Sequence, residues 1–198
     1  MAIKIGITGG IGSGKSVVSR LLDIMGIPVY LSDVEAKRLT QSDEIIKQEL
    51  IALLGTEIYQ NDALNKPFLA SYLFEDANHA AQINAIIHPR VKADFKSWAL
   101  AHSRDKIVAI ESAILIESGF ADEVDDIVMV YTPLDLRIKR AVKRDLSTKE
   151  LITRRIKQQM NDEDKIGYAQ FVIKNDDYTP LIPQVIALIE RLESKKYS

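Results

Sequence analysis

The stretch GITGGIGSGKS (6–16) holds five of the chain's nine glycines within eleven residues. A glycine inside a regular element costs roughly 0.5–1 kcal/mol relative to alanine, so such a cluster marks an unusual backbone path or a ligand that approaches the main chain closely. Gly9, four residues, then Gly14-Lys15-Ser16 fit G-x-x-x-x-G-K-[ST], the phosphate-binding loop. The flanks supply the context that pattern needs. AIKIGIT reads as a buried strand with Ile3, Ile5 and Ile7 alternating. KSVVSRLLDIMG reads as a helix with Val17, Val18, Leu21, Leu22 and Met25 on one stripe and Gly26 as its stop. The N–H groups of residues 10 to 15 and the positive end of the helix would then cradle a β-phosphate. Lys15 would bridge β- and γ-oxygens, and the Ser16 hydroxyl would bind Mg²⁺. A flexible linker matching by chance would lack the strand before and the helix after. The stretch is expected to bind a nucleoside triphosphate.

Composition bounds the rest. A chain of 198 residues allows one domain with a small insertion, burying about 70% of its unfolded surface. At 46% hydrophobic and 27% charged it has the composition of a soluble globular protein. The net charge of -2 provides no basic field for nucleic acid. Without cysteine there is no disulfide framework, thiolate chemistry or cysteine metal site. No apolar run reaches the ~20 residues that span a membrane. The chain enters its first strand at once, so no signal or transit peptide is expected and the cytoplasm is the expected compartment.

Four further runs, IPVYL (27–31), KIVAIES (106–112), DIVMVYT (126–132) and FVIK (171–174), are near-continuously apolar, as buried parallel strands are. Helical patterns cover 44–55, 89–102, 133–145, 147–160 and 180–194. The alternation predicts an α/β fold, a five-stranded parallel sheet with helices on both faces. About seventy residues between the second and third strands lack a convincing strand, so residues 41–104 read as a helical insertion beside a core of 1–40 and 105–198.

A GTPase would need a guanine-reading N-K-x-D after a later strand, which the sequence lacks, and DIMG (23–26) lies inside the first helix. A motor or transporter ATPase would call for a longer domain. A small kinase remains, and its acceptor-side base, substrate-holding insertion and arginine-rich lid all have candidates. Asp33 follows the second strand, and active crevices of parallel sheets lie beyond the strands' carboxyl ends. It is suited to accept a proton from an acceptor hydroxyl, and equally to cap the helix VEAKRL, a task Ser32 could share. Glu111 ends the third strand, where an acidic residue can stand near a metal's water shell. Glu117 lies six residues on, and for both an exposed surface carboxylate is an equally open reading. Arg137, Arg140 and Arg144 fall at i, i+3 and i+7 on one face, opposite Leu134, Ile138 and Ala141. A solvated basic face is the common explanation, but arginine's planar fork also suits the oxygens of a transferring phosphoryl group. A lid role is assigned to at least one of Arg140 and Arg144.

These residues resemble the dephospho-coenzyme A kinases, which phosphorylate the ribose 3′-hydroxyl of dephospho-CoA with ATP. GITGGIGSGKS is similar to that family's opening motif. GIPVYLSDVEAKRL resembles its G-x-x-V-x-D-A-D segment, with Asp33 at the second aspartate, taken there as the base, and Leu31 where the first often stands. IIHPRV (86–91) resembles the His-Pro element of the family's CoA-side domain. ESAILIESGF resembles P-L-L-x-E, with Ala113 for proline and Glu117 retained. RIKRAVKRDLSTKELITRRIKQQ is similar to its lid, here about 140–165, with Arg140 and Arg144 at matching positions, and FVIKN ends on a matching Asn175. The resemblance, running from residue 3 to about 190, implies ATP and Mg²⁺ as cofactors and dephospho-CoA as substrate. It implies Asp33, Lys15 and Arg140 as catalytic residues. Gly10, Ile11, Gly12, Ser13, Gly14, Lys15, Ser16, Val17, Arg144 and Asn175 would surround ATP. Thr8, Asp33, His88 and Glu117 would face the substrate, and Ser16 and Glu111 the metal. The expected state is a monomer or weak homo-oligomer, with no nucleic-acid or membrane partner.

Two other classes keep a place: another small kinase acting on a nucleoside, nucleotide or shikimate-like alcohol, and a regulatory ATP-binding module without an acceptor. A base at Asp33 and a long insertion speak against the module. His88 also reads as a helix-start histidine before Pro89, Phe95 and Trp98 as core, and DEVDD (122–126) as a solvated turn.

Overall fold

The alternating isoleucines of the opening segment form β1 (Ile3–Thr8), the glycine loop follows, and α1 (Lys15–Ile24) ends before Gly26, whose φ is +83°. The computed structural model describes residues 2–76 and 78–195. After β2 (Val29–Leu31) come α2 (Ser32–Ser42), α3 (Glu44–Leu54), the short strands β3 (Tyr59–Gln60) and β4 (Ala63–Leu64), α4 (Lys66–Glu75) and α5 (His79–Ala101). The chain then forms β5 (Ile107–Glu111), β6 (Asp126–Tyr131), α6 (Leu134–Asp145), α7 (Lys149–Ile156), α8 (Asp162–Tyr168), β7 (Phe171–Lys174) and α9 (Leu181–Lys195).

Residues up to Leu31 and those from Trp98 onward make one compact unit, built on a parallel sheet in the order β2-β5-β1-β6-β7. On one face Ile5, Ile7, Ala109, Val128, Val130 and Ile173 pack with Val18 and Leu22 of α1 and Val185, Leu188 and Leu192 of α9. The other face is covered differently. α8 packs on β6, and a Cβ added at Gly6 would stand 2.6 Å from Leu115, so the segment after β5 lies directly on β1. The apolar stripe on α1 is narrower than the sequence suggests: Val18 and Leu22 are buried, whereas Val17 and Met25 stay exposed. The 122–126 segment is also no simple solvated turn. Asp126 is buried as the first residue of β6, where both its oxygens accept from Lys195 (2.6 and 2.7 Å).

Residues Ser32–Ser97 form a second compact unit around Leu39, Ile46, Leu50, Ile58, Ile83, Val91 and Phe95. The division falls after residues 31 and 97, because α2 packs on α3, whereas the sequence pattern put it after 40 and 104. The Asp43 carboxylate caps α3 by accepting from the amides of Ile45 and Ile46 (3.0 Å each), and Arg90 of α5 donates to it at 2.8 Å. Two features depart from expectation. β3 and β4 form a tiny antiparallel hairpin within the supposedly strand-free insertion. Pro89 does not start a helix but lies inside α5, which begins ten residues earlier at His79.

Candidate active site

The carboxyl end of β1 leads into the glycine loop, and two of its glycines are there for conformational reasons. Gly12 (φ +80°) and Gly14 (φ +90°, the residue before α1) occupy the left-handed region, which costs other L-residues roughly 1–2 kcal/mol. Both are also hemmed in. A Cβ on Gly12 would overlap the Arg137 carbonyl, and one on Gly14 the Asn175 side-chain amide. Gly12→Ala is therefore expected to cost about 2–4 kcal/mol, left-handed strain plus overpacking, read from the urea midpoint. A loss below about 0.5 kcal/mol would mean that the loop relaxes freely.

Later elements hold the loop from outside. The Ser13 carbonyl accepts from the Thr132 hydroxyl (2.9 Å), just beyond β6, and from Asn175 Nδ2 (2.8 Å), just beyond β7. The Ile11 amide donates to Gln159 Oε1 (3.1 Å) and the Ser13 amide to the Gly10 carbonyl (3.0 Å). Those two amides are engaged within the protein, so the cradle expected from residues 10 to 15 is narrower than the spacing implies. Lys15 Nζ bonds the carbonyls of Gly9 (2.9 Å) and Gly10 (3.4 Å). The hydroxyls of Thr8 and Ser13 are fully buried with no hydrogen-bond partner. Buried orphans of this kind cost about 1–3 kcal/mol each.

The three arginines of α6 separate. Arg137 is buried, its Nη2 3.3 Å from Asp162 Oδ2, so it does not belong to a solvated face. It stands three residues after Leu134 and four before Ala141, a spacing that puts it on the same side as the apolar stripe. Arg140 donates to Thr132 Oγ1 (3.4 Å) and Asn175 Oδ1 (3.5 Å) and pairs with Asp177, so it reaches both side chains that hold Ser13. Arg144 is exposed and pairs with the adjacent Asp145 (2.7 Å).

Glu111 ends β5, in register with Ile7 of β1 and Leu31 of β2. Glu117 is not a free surface carboxylate: it pairs with the fully buried Lys165 (2.9 Å) and accepts the Met160 amide (2.9 Å). Ser16 and Val17, at the start of α1, are exposed. Asp33 and His88 belong to the second unit. Asp33 is exposed in the first turn of α2, inside the helix rather than capping it. His88 is half-buried in α5, where burial and then the Lys92 charge push its imidazole below the usual range, favouring the neutral ring. Among the described residues no group of three or more His, Asp or Glu converges to hold a metal ion, and no helix is long and apolar enough to cross a membrane.

The family model for dephospho-CoA kinase matches residues 3–180. The chain belongs to the dephospho-CoA kinase family. It is 57% identical over 195 residues to the dephospho-CoA kinase of Bacteroides fragilis strain YCH46, covering 98% of this chain and 95% of that one. A crystal structure from Thermus thermophilus is similar at 29% identity and a TM-score of 0.80, covering 98% of this chain and 97% of its own. A dephospho-CoA kinase from Campylobacter jejuni shares the fold, with a TM-score of 0.73 at 19% identity, covering 99% of this chain and all of its own (100%). Family membership makes the chain a phosphotransferase that uses ATP.

Sequence reasoning within this dephospho-CoA kinase family pattern missed Thr132, Gln159, Asp162 and Lys165 and misplaced Arg137. A signal existed for one of them. Thr132 directly follows a buried strand, the position from which parallel sheets present polar side chains. Gln159, Asp162 and Lys165 lie in a polar stretch whose partners, Ile11, Arg137 and Ala113, lie well outside it in sequence, so no local pattern marks them.

Proposed function

We propose that the chain transfers the γ-phosphoryl group of ATP to the ribose 3′-hydroxyl of dephospho-CoA, giving CoA and ADP, the last step of coenzyme A synthesis. The observation that carries this reading is the glycine loop, clamped at the Ser13 carbonyl by Thr132 and Asn175, in a chain matched by that family's model over residues 3–180. The loop amides and the amino end of α1 receive the phosphates. Lys15, close to the Gly9 and Gly10 carbonyls, turns its charge to β- and γ-oxygens. Asp33 accepts the proton of the 3′-hydroxyl as its oxygen bonds to phosphorus and the bond to the ADP oxygen breaks. Arg140, with Arg144 from the same helix, closes over the phosphoryl group as part of an arginine-rich lid. The second unit, with His88, and Thr8 and Glu117 serve the acceptor.

Ser16 and Glu111 offer a hydroxyl and a carboxylate, the hard oxygen donors that suit Mg²⁺. When bound, the ion neutralises charge between the β- and γ-phosphates. The setting proposed is the cytoplasm, as a monomer or weak homo-oligomer. A coupled ADP-release assay with dephospho-CoA, adenosine, AMP and shikimate in parallel tests the reading. Dephospho-CoA should exceed every other acceptor by at least about 10²-fold in kcat/KM, and faster turnover of another alcohol would overturn the assignment. In the same assay Lys15→Ala should lose at least about 10²-fold in kcat while its melting temperature falls only slightly, since the variant removes the phosphate contact and the bonds to the Gly9 and Gly10 carbonyls but nothing in the core.

A further inference from the structure

One buried charge pair stands apart from the residues given roles above. Arg137 in α6 and Asp162 at the start of α8 have side chains only 6% and 5% exposed, with Nη2 and Oδ2 3.3 Å apart. Removing two such ions from water costs several kcal/mol each, which their attraction repays only when the remaining polar atoms are also satisfied. Here they are not: Arg137 Nε and Asp162 Oδ1 have no hydrogen-bond partner. Burial pushes the Asp162 carboxyl up, against the pull of Arg137, Lys165 and Lys15. The pair is a poor stabiliser, and its location supplies a better reason for it.

Arg137 runs along the phosphate loop. A Cβ on Gly12 would overlap its carbonyl, and a Cβ on Gly10 would overlap its guanidinium and stand 3.0 Å from Asp162 Oδ1. The carboxylate is itself fixed. Three residues on, the fully buried Lys165 donates to the Ala113 carbonyl (2.6 Å) and pairs with Glu117, which takes the amide of Met160 just before α8. Segments on either side of Asp162 are thus tied to the chain after β5, and through Arg137 that anchorage reaches the loop.

We propose that Arg137 and Asp162 are a positioning pair that holds Gly10 to Gly12 of the phosphate loop in the path that receives phosphates. The identity of the nucleotide rests on the function proposed above; the loop's restraint does not. A misplacement of about 1 Å at a reacting group can cost 10²-fold in rate.

Two readouts separate positioning from plain stabilisation. The first is amide hydrogen exchange at Ile11 and Ser13 in the unliganded protein. The second is kcat and KM for ATP alongside KM for dephospho-CoA. Arg137→Met should speed exchange at both amides by at least about tenfold and lower kcat/KM for ATP by about 10²-fold. KM for dephospho-CoA should stay within about twofold of wild type. The double variant Arg137→Met/Asp162→Leu leaves no orphan charge, so it should melt close to wild type and still show both defects. It also decides the matter if the single variant fails to fold. Arg137→Lys should recover part of the ATP kinetics. A folded double variant with wild-type exchange at Ile11 and Ser13 and wild-type kcat/KM for ATP would overturn the proposal. A wild-type protein inactive on dephospho-CoA would overturn the function instead, with the exchange measurement still deciding the pair.

Discussion

Asp33→Asn is expected to lower kcat by roughly 10²–10⁴-fold, the range a positioned general base contributes. Asparagine keeps the shape of the side chain and its ability to accept a hydrogen bond, but it cannot take the proton of the acceptor hydroxyl at neutral pH. The structural cost is small. Asp33 is exposed in the first turn of α2, so what is lost is its favourable interaction with the helix amino end, at most about 1 kcal/mol. Activity and stability therefore separate cleanly in this variant. Melting temperature and kcat at saturating ATP and dephospho-CoA make the comparison, and a lowered melting temperature with intact turnover would leave Asp33 as a helix-end residue only.

Arg140→Lys should be comparably damaging, about 10³-fold in kcat, because an arginine acting on a transferring phosphoryl group can contribute that much. The guanidinium reaches Thr132, Asn175 and Asp177 at once. A lysine retains the charge as a single point and cannot span those groups or hold two phosphate oxygens together. Arg144→Lys should lose less, since Arg144 spends its fork on the adjacent Asp145 at an exposed position. The measurements are kcat and KM for ATP at saturating dephospho-CoA. Wild-type values in Arg140→Lys would return the residue to surface charge and leave Lys15 as the assigned phosphate cation.

The parts of this fold that were legible in sequence are those with a local cause. The strand, glycine turn and helix around residues 3–24 follow from periodicity and from glycines that left-handed backbone requires. β5 and β6 follow from apolar runs buried on both faces, and β7 from a shorter run at the edge of the sheet, where Ile173 is the buried residue. Short elements with weak periodicity were not legible. The hairpin strands have two residues each, and its only marker was Asn61-Asp62, both left-handed (φ +50° and +60°), a recognisable tight-turn pair. Pro89 misled because proline usually opens helices rather than sitting within them. Within the candidate site, Lys15 and Ser16 were legible from the motif. The Arg137–Asp162 and Lys165–Glu117 pairs were not, because which buried charge meets which is decided by tertiary packing rather than by spacing along the chain.

The clamp on Ser13 has a consequence for the order in which the protein comes into being. Its two side-chain partners follow by 119 and 162 residues in sequence. At roughly 5–20 residues per second, synthesis of the stretch up to Asn175 takes on the order of 10 s. For most of that interval the glycine loop, among the first residues made, lacks both side chains that clamp Ser13, and it gains Thr132 well before Asn175. β1 likewise must wait for β5, since Ile3 pairs with Ile107. Closing so long a span costs chain entropy before any contact repays it, though each doubling of length adds only about 0.6 kcal/mol. Residues Ser32–Ser97, lying wholly within that span, emerge with their own buried cluster and can pack before it closes. The earliest-made piece of the nucleotide site is thus the last to acquire its working form, and a nascent chain stopped short of β7 would carry the complete motif with only Thr132 of its two clamping side chains.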